Sequence, residues 1–417
     1  MKRPPSFPGF RTLALLCLCL LAGAPPLAAE PLRLERGDRI CIIGNALAEG
    51  LQHSGWFETL LHHRFPEHDL VVRNLAFPGD ELTLRLRSRD FGSPDDHLAK
   101  HQADVVLAFF GYNESFGGRP KLEKFSKDFD RFIQDTLSKR YNGKLAPRLV
   151  LCSPIGHERL PDPNLPDGRE IDDRLDLYAR AMAEAARARG VHFADLLSPS
   201  RKLYAENDRP LTSNGIHLND DGHRLLAPFL LDALVGAEPS PGASGGAGAA
   251  RDPARLERLR AAVLDRNFHW FHRYRTTDGY SIYGERSHLK FVDGQTNREV
   301  MQREMEVLDV MAANRDRRIW AVARGGDLVV DDANTPPFIP VKTNKPGKGP
   351  GGAHEFLGGE EAIGRMKVHP GMKVNLFASE ERFPEIAKAV QMAFDVRGRL
   401  WLACMPSYPH WKPKDPM

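Results

Sequence analysis

The chain has 417 residues, 41% of them hydrophobic and 27% charged, with a formal net charge of +3. That length is too great for one ordinary domain, and so small a net charge, well mixed along the chain, argues against a nucleic-acid or other polyanionic partner. No run after the N-terminal segment is long and apolar enough to span a bilayer, so no membrane span is expected once that segment is removed.

Lys2, Arg3 and Arg11 precede or open the apolar stretch 12–22, and small residues up to Ala29 follow. This order of charge, short apolar run and small residues reads residues 1–29 as a signal peptide, with a secreted or periplasmic product. Of five cysteines, Cys17 and Cys19 leave with that segment. Cys41, Cys152 and Cys404 stand far apart in apolar runs, a spacing that reads as core thiols rather than a disulfide framework.

Residues 30–236 alternate between apolar strand-like runs and helical stretches. Strands are expected over 39–44, 70–75, 104–111, 148–154 and 191–197, and helices over 48–64, 121–140, 171–189 and 221–235. Leu175, Tyr178, Ala179 and Met182 fall on one helical face. Strands apolar throughout and separated by helices predict a parallel sheet covered on both sides, an α/β fold with three αβα layers. Ligands bind such sheets beyond the carboxyl ends of the strands. Ala46, Gly79, Asn113 and Ser153 each follow a predicted strand and are expected along that edge.

Residues 237–253 read as a flexible Gly/Ala/Pro/Ser linker, and 254–330 as a helical segment with helices over 253–273 and 297–314. An extended, Pro- and Gly-rich connector spans 331–362, including the lysine-bearing stretch 342–348. From 363 to 417 the pattern turns β-rich, with strands expected over 366–377 and 394–402 and a helix over 383–390. The run from Phe394 to Trp401 resembles the start of a β-propeller blade in large exported planctomycete-type proteins. The implication is a propeller-like domain that continues beyond the residues present.

Four short blocks recur in a fixed order: Gly44-Asn45-Ala46-Leu47, Asn74-Leu75-Ala76-Phe77-Pro78-Gly79, Gly111-Tyr112-Asn113-Glu114 and Asn214-Gly215-Ile216-His217. Together they resemble the SGNH (GDSL-type) hydrolase family over about 200 of the 417 residues. The resemblance implies a flavodoxin-like domain that hydrolyses esters, without metal or other cofactor. His217 matches the family's base and Asn214 the position of its orienting acid. Gly79, Asn113 and the backbone of Ala46 match the oxyanion donors. Two positions depart from the pattern, since Ala46 stands where the family has serine and Asn214 where it has aspartate.

Alanine carries no nucleophilic atom, and loss of the serine from such a triad costs about a million-fold. Exchanging the acid for an amide is expected to favour the wrong imidazole tautomer, at about 10⁴-fold. Catalysis is therefore expected to be weak or altered, with an acyl ester or acylated carbohydrate as ligand. The alternative is a non-catalytic glycan- or acyl-binding module, or an adaptor for a propeller-type dehydrogenase-like domain. Ser54, Ser115 and Ser153 read as loop or capping serines rather than replacement nucleophiles, and Glu114 as a solvated carboxylate. His62-His63 and the pair His97 and His101, with Asp95 and Asp96 nearby, read as surface groups rather than metal ligands.

Overall fold

The apolar runs of the first half fold as one parallel sheet. The computed structural model describes residues 31–237, 252–276, 278–341, 347, 349 and 354–405. The predicted signal peptide, most of the predicted linker and most of 342–348 lie outside the described residues. Contacts divide the chain into two units, the first built from residues up to 86, 93–268 and 312–331, the second from 87–92, 269–311 and 332 onward.

In the first unit, β1 (Arg39–Gly44), β2 (Val71–Asn74), β3 (Val105–Phe109), β4 (Arg148–Cys152) and β5 (His192–Ala194) line up in the order β2-β1-β3-β4-β5. Every neighbouring pair is parallel. The chain winds outward one way from β1 to β2 and the other way from β3, which puts the topological switch point between β1 and β3. The helices of this winding are α1 (Ala46–Ser54), α2 (Trp56–Arg64), α3 (Pro94–Lys100), α4 (Tyr112–Ser115), α5 (Gly118–Ser138), α6 (Arg169–Arg189), α7 (Leu197–Glu206) and α8 (Asp220–Val235). The single helix expected over 48–64 is two, because Gly55 takes φ +70° and its N–H closes the end of α1 on the Leu51 carbonyl.

Side chains alternate through the sheet as strand geometry requires. Ile40, Ile42, Val72, Val105, Leu107 and Val150 pack in one cluster with Leu51 of α1, Phe57 and Leu61 of α2, and Leu226 and Leu230 of α8. Cys41, Ile43, Val106, Ala108, Leu149 and Leu151, at the alternate positions, are equally buried. Burial pushes the Cys41 thiol up to about 12 and the Cys152 thiol higher still, so both are inert core groups. The loops at the carboxyl edge are tied down by Phe77 N–H to Gly44 O (3.1 Å) and Asn45 N–H to Phe109 O (3.3 Å). Gly44 makes this crowding possible: at φ +135°, a Cβ there would lie 2.1 Å from the Phe109 carbonyl oxygen.

Two long helices follow, α9 (Pro253–Tyr274) and, after the short α10 (Gly279–Ile282), α11 (Asn297–Ala323). They do not form a segment of their own as expected over 254–330, since the first part of α9 and the last part of α11 fall in the sheet-bearing unit. The reason is buried charge. Arg266 of α9 and Asp316 of α11 are buried with Glu58 and Arg73. Arg73 meets Asp316 at 2.6 Å, Arg266 pairs with Glu58, and Asn267 donates to Glu58 at 3.1 Å and to the Gln52 carbonyl at 3.0 Å. Leu259, Ala262 and Val263 close against Ile319, Val322 and Ala323, which carries α11 past its expected end at 314.

Within the second unit, Phe91 lies edge-on to Tyr274 and Tyr283, and Arg273 meets Asp309 at 2.9 Å. Its last part holds α12 (Gly359–Gly364) and one antiparallel pair, β6 (Ala389–Phe394) with β7 (Leu400–Cys404). The strand expected over 366–377 is not formed, and only Pro384–Ile386 of the helix expected over 383–390 is helical, as a 3-10 turn. The strand expected over 394–402 is split by a turn. There the Asp395 carboxylate accepts the N–H groups of Arg397 (2.9 Å) and Arg399 (3.0 Å), and Gly398 takes φ +74°. A two-stranded sheet is the only β-structure of this region among the described residues.

Candidate active site

Beyond the carboxyl ends of β1, β3 and β4 lies a cavity of about 280 Å³ that Ala46, Gly79, Asn113 and His217 all line. The four blocks separated by up to 170 positions in sequence therefore meet at the switch point of the sheet. Ala46 opens α1. The Asn45 side chain caps this helix by accepting the Leu47 N–H at 3.2 Å, and Ala46 N–H is among the first-turn donors that have no partner within the helix. Asn74 holds the second block against α1, donating to Ala48 O at 2.7 Å and accepting Ala76 N–H at 3.0 Å. The Asn113 amide donates to Asp80 O at 3.0 Å, which aligns it beside Gly79 and leaves its second N–H.

Glu114 is half-buried and engaged rather than a solvated carboxylate. Its two carboxylate oxygens accept Leu82 N–H at 2.6 Å and Gly111 N–H at 2.7 Å, joining the second block to the third. Burial raises its pKa against the pull of those N–H groups. Both oxygens are thus occupied, and it offers no base. The serines are also committed. Ser153 is fully buried, accepting Leu196 N–H (2.8 Å) and Leu197 N–H (3.1 Å), and its hydroxyl lies 3.0 Å from Pro154 O. Ser115 donates back to Tyr112 O at 2.6 Å and Ser54 to Leu51 O at 3.3 Å.

His217 is exposed, and its Nδ1 lies 3.1 Å from Asn214 Oδ1. That oxygen also faces the backbone N–H groups of His217 (3.1 Å) and Ile216 (3.3 Å). Backbone N–H groups only donate, so the amide must present its oxygen here, and Nδ1 must be the donor of the shared bond. The imidazole therefore keeps Nδ1–H and leaves Nε2 with a free lone pair. The expected wrong tautomer is overturned, because the turn itself fixes the amide. What the amide lacks relative to aspartate is charge.

The loop that carries His217 is held from below by two residues absent from the sequence-based site, His157 and Glu158. Glu158 is 6% exposed, and its carboxylate accepts Leu211 N–H (2.9 Å), Thr212 N–H (2.7 Å) and the Thr212 hydroxyl (2.6 Å). Its own N–H donates to Gly215 O at 2.8 Å. The His157 ring packs on Gly215, where φ is +91° and a Cβ would lie 2.5 Å from the ring. Burial lowers the pKa of His157. Their one signal in the sequence was position, directly after a predicted strand on the edge where ligands bind.

Of the histidines expected at the surface, His63 is half-buried and the other three are buried. His62, His97 and His101 are each under 9% exposed, and burial lowers the pKa of His62 to about 3. Among the described residues no group of three or more His, Cys, Asp or Glu side chains could hold a metal ion, and no helix is long and apolar enough to cross a membrane.

A family model described as the GDSL-like lipase/acylhydrolase family matches residues 42–225, and one described as a domain of unknown function (DUF7133) matches residues 358–416. No curated protein matches the chain. Among solved structures, the chain is similar to a gut microbial diltiazem-metabolizing enzyme, at 21% identity and TM-score 0.38 over 50% of this chain and 49% of that one. The match thus spans about half the length of that relative. Similarity extends to an alpha/beta hydrolase enzyme from the metagenome of Lake Arreo, Spain, at 19% identity and TM-score 0.36, over 49% of this chain and 99% of that one. A catalytic mutant of an acetylxylan esterase from Geobacillus stearothermophilus is similar at 17% identity and TM-score 0.39, over 50% of this chain and 98% of that one. Residues 42–225 are thus similar to GDSL-like lipase/acylhydrolase (SGNH) domains.

Proposed function

We propose that this domain binds acyl esters, carried on carbohydrate among other alcohols, and hydrolyses them weakly without an acyl-enzyme. The observation that carries the reading is the bond between His217 Nδ1 and Asn214 Oδ1 at 3.1 Å, in a ring that shares a cavity with Ala46, Gly79 and Asn113. In this reading Nε2 of His217 takes a proton from water as the water oxygen attacks the ester carbonyl carbon. The N–H groups of Ala46 and Gly79 and the Asn113 amide face the oxyanion. Collapse of the tetrahedral intermediate expels the alcohol oxygen, which recovers the proton from His217, and leaves the free acid.

Ala46 itself favours a second reading, a module that binds the ester and does not turn it over. Turnover of short aryl esters and acetylated polysaccharide by the full chain separates the two. Activity above background that disappears in His217→Ala supports the first. A silent wild type beside an active Ala46→Ser/Asn214→Asp variant supports the second. A silent, folded double variant beside a silent wild type overturns the first and leaves the second to direct titration with ester.

Export rests on the charged and apolar order of residues 1–29, and a propeller-like continuation rests on the strand pattern around Phe394–Trp401. Secretion of the full chain and its N-terminal residue after export test the first. A longer chain that folds with four-stranded blades tests the second.

A further inference from the structure

The site cavity is mostly apolar. Phe109, Phe110, Tyr112, Phe116, Ile155 and Ile216 line it together with Ala46, and its polar side chains include Asn45, Asn113 and His217. Ser153 adds a hydroxyl to this wall, but it is engaged with the backbone of residues 154, 196 and 197. A second cavity of about 390 Å³ shares Asn113 and Phe116 with the first. Its lining is more polar than that of the first and carries Glu81, Glu114, Lys121, Lys124 and Asp128 beside Leu82, Phe116 and Phe125. Glu114 is engaged by the Leu82 and Gly111 N–H groups and Lys124 is paired with Asp128, which leaves Glu81 and Lys121, one of each sign, so the second cavity selects hydrogen-bonding groups rather than an ion.

An ester likewise has two sides about its carbonyl, and Asn113 stands where the two cavities meet. We propose that the substrate is an ester of a medium-length or aromatic acyl group on a neutral, hydroxylated carrier. The acyl group fills the aromatic cavity beside Ala46, and the carrier lies in the polar one across Asn113. An acetyl group would leave most of the 280 Å³ without partner atoms, whereas each further methylene buried there tightens binding roughly fourfold. The inference rests on the ester-site reading above, yet it is read by binding alone and needs no turnover.

The test is calorimetric titration of the full wild-type chain with glucose esterified at its primary hydroxyl by acetyl, butyryl, hexanoyl or octanoyl groups. Octanoylcholine serves as the charged-carrier control. Affinity is expected to rise at least tenfold from acetyl to hexanoyl, and octanoylcholine to bind at least tenfold more weakly than octanoylglucose. Ile216→Trp, or Ala46→Phe if that variant does not fold, fills the aromatic cavity and should abolish the gain with chain length. A flat or falling series, a gain that survives in a folded, filled variant, or equal binding of the choline ester overturns the proposal. A silent Ala46→Ser/Asn214→Asp variant would sink the hydrolase reading and leave the binding series to decide this one.

Discussion

Glu158 and Thr212, 54 residues apart in sequence, share two hydrogen bonds, from the Thr212 N–H at 2.7 Å and its hydroxyl at 2.6 Å to one carboxylate oxygen. Thr212 Oγ1 in turn accepts Gly215 N–H at 2.9 Å, and Gly215 O accepts Glu158 N–H at 2.8 Å. The circuit closes around the turn that presents Asn214 and His217. A loop that must expose a histidine is thereby held in place by the buried carboxyl group of Glu158.

Glu158→Ala leaves the Leu211 and Thr212 donors buried without an acceptor. It should destabilise the domain by about 2–4 kcal/mol, and Glu158→Gln by less, because the amide oxygen can still accept. Urea unfolding of the three proteins measures this. A cost under about 0.5 kcal/mol for the alanine variant would mean the loop finds other acceptors, which the burial of Glu158 argues against.

The orientation of Asn214 gives a sharp kinetic expectation. If the amide could turn, restoring aspartate to an Ala46→Ser variant would raise kcat by about 10⁴. Two backbone donors pin the oxygen, so only the missing charge separates the variants, and the gain should stay below about 10². Comparing kcat of Ala46→Ser with that of Ala46→Ser/Asn214→Asp decides the matter. A ratio near the larger figure would mean that the ring takes the other tautomer.

The buried charges under the sheet edge predict a non-additive pair. Arg266→Met strands the Glu58 carboxylate in the core and should cost about 3–5 kcal/mol. Adding Glu58→Leu removes the stranded charge, so the double variant should be more stable than Arg266→Met alone. Denaturant melts of the single and double variants test this. Simple additivity would show that the ion pair is not the unit that matters.

Stability should fall as the pH is lowered below about 6.5. His223, on α8 against Gly50 of α1, has its pKa lowered to about 4 by burial, reinforced by His53 and opposed by Asp220 and Glu49. Between those values the unfolded chain binds a proton that the folded chain does not, so unfolding is favoured as pH drops. The loss approaches on the order of 3 kcal/mol near pH 4 for this one group. Melting the wild type and His223→Leu from pH 7.5 to 4.5 measures it. The variant should show the shallower slope, and equal slopes would assign the acid sensitivity elsewhere, His62 being the next candidate.

The alternation of apolar runs and helical faces was enough to read a parallel sheet, because a strand buried on both sides must be apolar at every position. Strand ends and the break at Gly55 were not legible to the residue. They depend on a single left-handed glycine and on loop hydrogen bonds such as Phe77 to Gly44, which leave no periodic trace. The β-rich C-terminal stretch was read least well. Its strand order turns on one Asp395 side chain that folds the run back on itself, while 366–377 has strand-like composition and no partner strand among the described residues.

For the site, four short blocks and the order of strands sufficed to expect Ala46, Gly79, Asn113 and His217 along one edge. That follows from chain topology alone, since successive parallel strands deliver their ends to the same side. The sequence also carried, unaided, the absence of a nucleophile at residue 46. It could not give the state of Asn214, the occupation of Glu114, or the support of the His217 loop by Glu158. Those depend on which donors surround an oxygen, and donors arriving from residues 82, 111, 211 and 212 are brought there only by tertiary packing. Residue identity decided what chemistry was possible, and the folded arrangement of backbone N–H groups decided which atoms are free to perform it.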